Sequence, residues 1–536
     1  IRLKGVNISS PQTGPNASDF PVSLSDIERI EVLEGASARV FGSSAFNGAI
    51  NIVTRPDRES CVRLSAEGGS FGSFGGDFGV SLLTGSVSQK LSGGYTQSDG
   101  GTKNSDFKRR RAYYTGSYTS RYADLVWQAG LSSQDYGAST FYSAKFDNQW
   151  EATRRIITSA QADIKPFGDE RLVITPQAYW HRDVDHYQLT RGKEGAKNGE
   201  NYHRTDVYGA SLNAHATWLL GKTAVGMDIR KEHILSTAYG DLLPENEWKN
   251  IHGTDRRYDH RGDRTNTSLF LEHNVILGGF TLSAGVLANR NTGLDGDFRF
   301  YPGVDLSYRP NEMWKFYASW NKALRVPTYT DLYTSNSVQQ GDTGLRPERT
   351  STFKAGTRFR TRGVEAVVSG FYSKGNDIID WVYETEESRK YHAMNIGKLD
   401  NMGYSVDATL NMTELLPGSF VTRIKAGYAR IHQRHTTEQP VYRSLYALEY
   451  LRHKATFQLD HRIWSRLSAS WAVRWQERMN HYEPYTKVDC KLQWTAPTYS
   501  LYVKADNITN HRYYDLGGVR QPGLWIMAGG SVKIGL

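Results

Sequence analysis

Cysteine is nearly absent. Cys61 and Cys490 are the only two in 536 residues, too few for a disulfide framework. Alternation groups Cys490 with Val488, Leu492 and Trp494, and Cys61 with Arg63 and Ser65. Opposite faces argue against a bridge between them. No CxxC and no His/Cys metal spacing occurs, so no metal site is expected. No window approaches the roughly 18 consecutive apolar residues of a membrane-spanning helix. Mean hydropathy is −0.57. Neither fact excludes a transmembrane barrel, in which every second residue faces a wet lumen. Proline is scarce, at 16, and no Pro/Ser-rich linker or charge block divides the chain. One large repetitive fold is the simpler reading. A concentrated basic patch is also missing. The net charge is +9, yet Lys108–Arg111 is the one basic run, and aromatic strand residues follow it. It reads as a solvated strand end, and nucleic acid is not an expected partner. No GxxxxGK[ST] loop is present, which removes the common nucleotide site. The chain opens at Ile1 without a signal peptide, which suggests a mature and shortened form.

What the chain has is aromatic residues and glycine. Tyr 32, Phe 20 and Trp 13 make up 12% of it, with 51 Gly. That composition suits many long strands and interfacial aromatic girdles, and a soluble all-β protein shares it. From Cys61 the period is two. Leu212, Ala214, Ala216 and Trp218 alternate with Ser211, Asn213, His215 and Thr217; Trp314, Phe316, Ala318 and Trp320 alternate with Lys315, Tyr317, Ser319 and Asn321. One face is apolar and ends in Trp, and the other is hydrophilic even mid-strand. Aromatic strand ends favour a lipid-facing band over a sandwich core. The connections alternate as well. Short turns are expected at Ser120–Arg121, Gly221–Lys222, Pro310–Glu312, Thr361–Gly363, Pro417–Ser419 and Pro497–Thr498. Long loops are expected near 134–149, 184–203, 236–262, 323–346, 376–393 and 432–447. About 22 strands fit between Cys61 and Leu536, and a lumen that wide needs filling.

The first sixty residues differ. Asp26–Thr54 has two β-like pieces around a Gly/Ser/Ala-rich bend, and GVNISSPQTGPNASD (5–19) is a polar, turn-rich loop. These residues stand where a plug would be. The expected architecture is all-β: a 22-stranded antiparallel transmembrane barrel (59–536) occluded by an N-terminal α/β plug (1–58) that is incomplete in this chain.

Three ordered motifs carry a family resemblance that covers essentially the whole chain. IERIEVLEG (27–35) with FGSSAFNGAINIVT (41–54), LRVP (324–327) with GLRPERT (344–350), and DNITNHRYYDLGGVRQPGLWIMAGGSVKIGL (506–536) resemble TonB-dependent outer-membrane transporters. Glu34, Ala36 and Leu524 depart from the family pattern, and the last residue, Leu536, is not the usual aromatic. The family's plugs are longer and carry a TonB box. Ile1-Arg2 and Leu3–Val6 resemble plug pieces normally separated by a loop, so a segment is expected to be omitted between Arg2 and Leu3. Further stretches, PQTG with ASDFPVSLSDIERIEV (11–32), FYSAKFDNQWEATR (141–154), 450–479 and YYDLGGVRQPG (513–523), resemble the cobalamin (corrinoid) transporters of Bacteroidetes.

The resemblance implies uptake of a corrinoid across the cell outer membrane, driven by the TonB-ExbB-ExbD complex, with a surface-exposed lipoprotein as a possible partner on the long loops. It implies no enzyme. HRDVDH (181–186) is the one dense acid/His cluster, and it leads towards a long loop. The expected ligand residues are Asn7, Ser9, Gln12, Thr13 and Asn16 from the plug with Tyr142, Trp248 and Tyr333 from loops; amides hydrogen-bond and aromatics stack on a flat ring. Each aromatic taken singly also fits loop packing. Arg29 and Arg39 are expected to seat the plug, with Glu348 as wall partner, because a lumen cation needs pairing. Ser405 stands where the family often has a second glutamate. No cofactor is expected. Calcium, which orders loops in some relatives, is not favoured, because only Asp99, Asp106, Asp135 and Asp147 remain, widely spread. The alternative ligands are haem or a ferric siderophore. Against them, 328–343 has no His, and Asn7–Phe20 has no basic residue.

Overall fold

The computed structural model describes residues 1–13, 19–33, 48–57, 59–142, 146–294, 296–437, 439–479, 482–515 and 518–536. From Cys61 onward these residues build a closed antiparallel barrel of 22 long strands, each paired with its sequence neighbour. The strands used below are β5 (Cys61–Gly69), β6 (Ser73–Thr84), β7 (Val87–Ser98), β8 (Phe107–Thr119), β9 (Ala123–Ser139), β10 (Gln149–Ile164), β11 (Leu172–Gln188), β12 (Glu200–Trp218) and β13 (Gly221–Ser236). Closure comes from β5 pairing with Trp525–Gly535, Cys61 opposite Gly535. Both cysteines are free. No helix among the described residues is long and apolar enough to cross a membrane.

The period of two decides which side of the wall each residue serves. Leu131, Leu212, Leu271, Phe316, Phe353, Phe457 and Leu501 stand exposed on the outer face, where only lipid makes their exposure favourable. Trp218, Trp314 and Trp464 mark the short-turn rim. The strands run longer than their hydrophobic patterning suggests. Residues 134–139 and 184–188, expected in loops, finish β9 and β11, and Gly221–Lys222 begin β13 instead of forming its turn. Strand ends beyond the lipid are wetted on both faces, so their alternation fades while the ladder continues.

Inside lies a small mixed sheet of β1 (Arg2–Leu3), β2 (Val6–Asn7), β3 (Ile27–Leu33) and β4 (Ala49–Thr54), in the order β2-β1-β4-β3. Lys4 and Gly5 turn β1 into β2 with φ of 49° and 81°. Two positive φ values are the signature of a tight hairpin, and Gly5 supplies one without strain. Leu3, Val6, Ile8, Val22 and Ile52 of this inner region pack on Tyr113, Ile157, Tyr179 and Val207. Those four wall residues lie on the lumen face of β8, β10, β11 and β12. Burying five aliphatic side chains contributes on the order of 10 kcal/mol before ordering costs are subtracted.

On the long-loop side, three loops share a second small sheet: Gln339–Gln340, Tyr391–Asn395, Ile379–Tyr383 and Arg443–Ser444, in that order. Leu345, Trp381 and Ala393 form one apolar cluster of this sheet; Ile378, Val382 and Ile396 form another.

Candidate functional site

The inner sheet and, above all, the described residues between β2 and β3 are held to the wall by polar contacts with β6 to β13. Asp26 faces Lys90 at 3.1 Å, each side chain 1% exposed. Ser92 donates to Asp26 at 2.8 Å, and Lys90 donates to the Ser25 carbonyl at 2.8 Å. Ser23 donates to Asp77 at 2.6 Å and accepts from Arg111 at 2.9 Å. Thr54 and Tyr113 share a hydrogen bond of 2.7 Å. Asp19 accepts from Ser132 and Thr153, and its carbonyl accepts from Arg155 at 3.3 Å. Lys4 donates to Thr115 at 2.9 Å. Burial pulls its ammonium down to about 8, against the pull of Glu28.

Higher in the lumen the same logic captures the expected ligand residues. Asn7 is buried and accepts from the Ser9 amide at 3.0 Å. The Ser9 carbonyl accepts from Arg230 at 3.0 Å. Arg230 pairs with Glu232, which also holds Arg264. Gln12 donates to Asp185 at 2.7 Å. Asp185 meets Glu151, and Glu151 accepts from Tyr136 and Tyr142. The structure thus joins Gln12 and Tyr142 through two carboxyl groups that sequence reasoning passed over. Burial and then the Glu151 carboxylate hold the Tyr142 phenol well above its usual range. Thr13 is exposed in the turn at 11–13. Asn16 and Arg39 lie outside the described residues.

The other expectations land elsewhere. Trp248 donates its indole N–H to the Leu243 carbonyl at 2.9 Å, packing its own loop. Tyr333 stacks near Tyr329, centroids 6.2 Å apart, on the short helix Tyr329–Tyr333. Arg29 does not reach the wall. Its side chain is 55% exposed and is neutralised within its own sheet by Glu28 and Glu31. Glu348 pairs with Arg325 and accepts from the Ile379 amide. The expected Arg29–Glu348 seat is therefore corrected: each group finds a nearer partner. The seat is built by Asp19, Ser23, Asp26 and Gln12 instead. HRDVDH also changes meaning. His181, Asp183 and Asp185 face the lumen from within β11, and Arg155 pairs with Asp183. Alternation places them there, but only the fold brings Arg155 and Gln12 alongside. Of the scattered loop aspartates, Asp106 pairs with Arg191 and Asp147 with Lys103.

A line of contacts leads from the inner region to the loops. The carbonyls of Pro11 and Gln12 accept from the amides of Tyr329 and Thr330 at 3.0 and 2.9 Å. The helix starting there leads to Gln339–Gln340, the first strand of the loop sheet. Its last strand, Arg443–Ser444, borders a cavity of about 980 Å³. Tyr442, Tyr450, Tyr482, Tyr485 and Tyr513 line it, with His435 and His511 among the polar groups. Tyr485 and Tyr513 stack at 4.2 Å. Flat apolar faces with polar tips suit a large ring system with a polar edge. Tyrosine density on the last long loops was the available signal for this cavity. Asp380, which accepts from the cavity-lining Ser444 and from the amides of Ala447, Trp381 and Tyr446, is 1% exposed. Burial pushes its carboxyl up to about 6, against those hydrogen bonds.

Comparison with known proteins agrees with this geometry. Residues 62–508 match the family described as TonB dependent receptor-like, beta-barrel. The chain is 23% identical over 441 residues to the vitamin B12 transporter BtuB of Photobacterium profundum, covering 76% of this chain and 64% of that relative's length. Among solved structures, a mutant of the ferric enterobactin receptor PfeA from Pseudomonas aeruginosa superposes with a TM-score of 0.77 at 15% identity, over 99% of this chain and 90% of that one. The FrpB iron transporter of Neisseria meningitidis gives 0.76 at 16%, over 96% and 88%. Identities this low speak for the fold alone. The chain belongs to the TonB-dependent receptor β-barrel family and is a protein of the outer membrane.

Proposed function

We propose that this protein imports cobalamin or a related corrinoid, and that the inner sheet is a plug moved by the TonB-ExbB-ExbD complex. The observation that carries the ligand reading is the likeness to a curated vitamin B12 transporter. The tyrosine-lined cavity of about 980 Å³ supports it, since a corrinoid offers a broad ring to stack on and amide edges to hydrogen-bond. In this reading the ligand sits in the long-loop mouth, between the turn at 11–13 with Tyr142 and Tyr333 and the cavity wall. Plug withdrawal breaks the seat at Asp26, Ser23 and Asp19 without breaking the barrel ladder. A surface lipoprotein would act on the loop sheet. A ferric siderophore or haem is the competing ligand, favoured by His435, His511, Arg443 and Arg512 around the same cavity.

Binding to the purified full chain in detergent separates these readings. Cyanocobalamin should bind saturably, and Tyr485→Ala should weaken it roughly tenfold, the loss of one good stacking contact. Saturable binding of haemin or a ferric catecholate with none of cyanocobalamin overturns the corrinoid assignment.

A further inference from the structure

The upper contact between the inner region and the wall is short of positive charge. Among the described residues four buried carboxyl groups gather there: Asp19, Glu151 on β10, and Asp183 and Asp185 on β11. Two guanidiniums answer them. Arg155 pairs with Asp183 and donates to the Asp19 carbonyl at 3.3 Å. Arg109 on β8 is drawn to Asp19. No cation pairs with Glu151 or Asp185 among the described residues. His181 is turned to Asp183 at 3.2 Å. His203 stands opposite Asp185 on β12, but its ring stacks on Tyr239 at 4.2 Å and its Nδ1 meets the Ser236 hydroxyl at 2.8 Å. Burial holds this imidazole down to about 3, so it is neutral. The phenols of Tyr136, Tyr142, Tyr187, Tyr239 and Tyr258 complete the surroundings and bring no positive charge.

The register brings the two unpaired carboxyl groups together, at the long-loop ends of β10 and β11 beyond the lipid. Glu151 lies opposite Tyr187 and Thr153 opposite Asp185, so Glu151 and Asp185 are diagonal neighbours on the lumen face. Glu151 Oε2 accepts from Tyr136 and Tyr142. Asp185 Oδ2 accepts from Gln12 at 2.7 Å, and its buried Oδ1 finds no donor among the described residues. The two carboxyl groups stand within hydrogen-bonding reach of each other. Two carboxylates offer only acceptors, so a hydrogen bond between them needs a proton. Burial and then the Glu151 charge hold Asp185 well above the usual carboxylate range. Burial raises Glu151 as well, against the pull of the two phenols.

We propose that Glu151 and Asp185 share one proton, and that this proton holds the turn at 11–13 against the wall. With it, one carboxyl donates to the other, and Asp185 keeps an acceptor for Gln12. Without it, two buried charges repel each other beside Asp183 and Asp19. The ladder fixes both groups on the wall, so relief comes from lifting the turn, which admits water to the pair. The carbonyls of Pro11 and Gln12 then leave the amides of Tyr329 and Thr330, and the link to the loop sheet goes with them. The device holds for any ligand in the mouth. Its sign follows from the two states: the docked pair keeps a proton that the wetted pair has lost. Docking is strongest below about 4 and is lost as pH rises towards the point where the docked pair gives up its proton.

Hydrogen exchange of the purified full chain in detergent, followed from about pH 5 to about pH 8.5 and corrected for intrinsic rates, reads the turn through the amides of 8–13. Protection there should fall with rising pH, by up to about tenfold per unit. Asp185→Asn keeps an acceptor for Gln12 and offers Glu151 a permanent N–H, and Glu151→Gln offers the same to Asp185. Each variant should keep these amides protected across the range, with the slope gone. The wild-type infrared spectrum should show the carbonyl stretch of a protonated buried acid that fades as pH rises and that each variant lacks. A flat wild-type profile, or a slope that survives in both variants, overturns the shared proton. Should a variant lose the heat-modifiable migration of a folded barrel, the wild-type infrared titration decides by itself, and a missing band overturns the proposal. Protection restored at high pH by calcium chloride and not by sodium chloride of equal ionic strength puts a cation between the carboxylates, and the proton assignment falls.

Discussion

Two charge pairs near the short-turn end of the barrel differ only in what faces them. Lys90 on β7 meets Asp26, in the turn that leads into β3 of the inner sheet, and both side chains are 1% exposed. Arg423 on the strand Val421–Thr436 meets Asp460, directly opposite on the next strand, and is 47% exposed. The first pair joins two separate pieces of structure in a dry interface. The second joins two strands already tied by their ladder, in water. The same contrast holds along the lumen: Lys90, Arg111, Arg155 and Arg230 of the wall also donate inward, to Ser25, Ser23, Asp19 and Ser9, whereas Arg358 and Glu365, at 40% and 39% exposure, answer one another. A polar lumen is therefore not one surface. Where the inner sheet docks, its charges specify position, and elsewhere they keep the wall wet.

The largest expected effect follows from the dry pair. Lys90→Met leaves the Asp26 carboxylate buried without its cation, and the inner sheet should lose about 3–5 kcal/mol of seating. Protease cleavage within 19–57 in detergent-solubilised protein is the measurement. Adding Asp26→Ala should recover most of the loss, because removing both charges avoids the orphan. A single variant as resistant as wild type would erase the distinction drawn between the two halves.

The loop sheet offers a second, smaller contrast, since it is held by a carboxyl group out of reach of bulk water. Asp380 ionises at about 6 in the fold, against 3.8 for a free aspartate. Between those values the folded loop keeps a proton that the released loop has lost. Stability of the loop sheet should therefore rise as pH falls from about 7 to 4, by roughly 3 kcal/mol at most. Hydrogen exchange of amides 379–383 and 443–447, corrected for intrinsic rates, reads it. Asp380→Asn should flatten the dependence. Protection that grows with rising pH contradicts the assignment.

The barrel was legible in the sequence because its physics is local. Leu212 and Trp314 declare their face by their neighbours two residues away, and a short turn needs only its own residues. The inner seat was not legible, because it is a long-range fact. Arg29 and Arg39 attract attention as charges in a plug motif, yet Arg29 sits between two glutamates of its own sheet. Asp26 and Gln12 look like turn residues until β7 and β11 are laid beside them. One signal was available. Ile157 and Val207 are apolar residues on the polar face of their strands, and they mark where the inner sheet docks. Asn7, Ser9 and Gln12 were singled out as hydrogen-bonding groups for a ligand, and in the structure their bonds go to wall and backbone.

Gln12 gives an intermediate test. Its amide donates to Asp185, a wall residue that also meets Glu151. Gln12→Ala removes one donor from a buried carboxyl and should cost about 1–3 kcal/mol locally. Faster exchange of amides 8–13 with β3 and β4 unchanged is the expected pattern. Uniform acceleration across the inner sheet would mean that its upper and lower contacts form one unit.

The smallest effect should come from the wet pair. Arg423→Ala removes a guanidinium that is half in solvent, and exposed pairs of this kind contribute about 0–1 kcal/mol. Asp460 keeps hydrogen bonds from Ser470 at 2.6 Å and Gln458 at 3.1 Å, so no orphaned charge remains. The variant should match wild type in protease resistance of 19–57 and in thermal unfolding. Lys90 and Arg423 stand at similar depth and differ in what covers them. An Arg423→Ala loss as large as that of Lys90→Met would therefore mean that lumen charge itself, and not burial against the inner sheet, sets the cost.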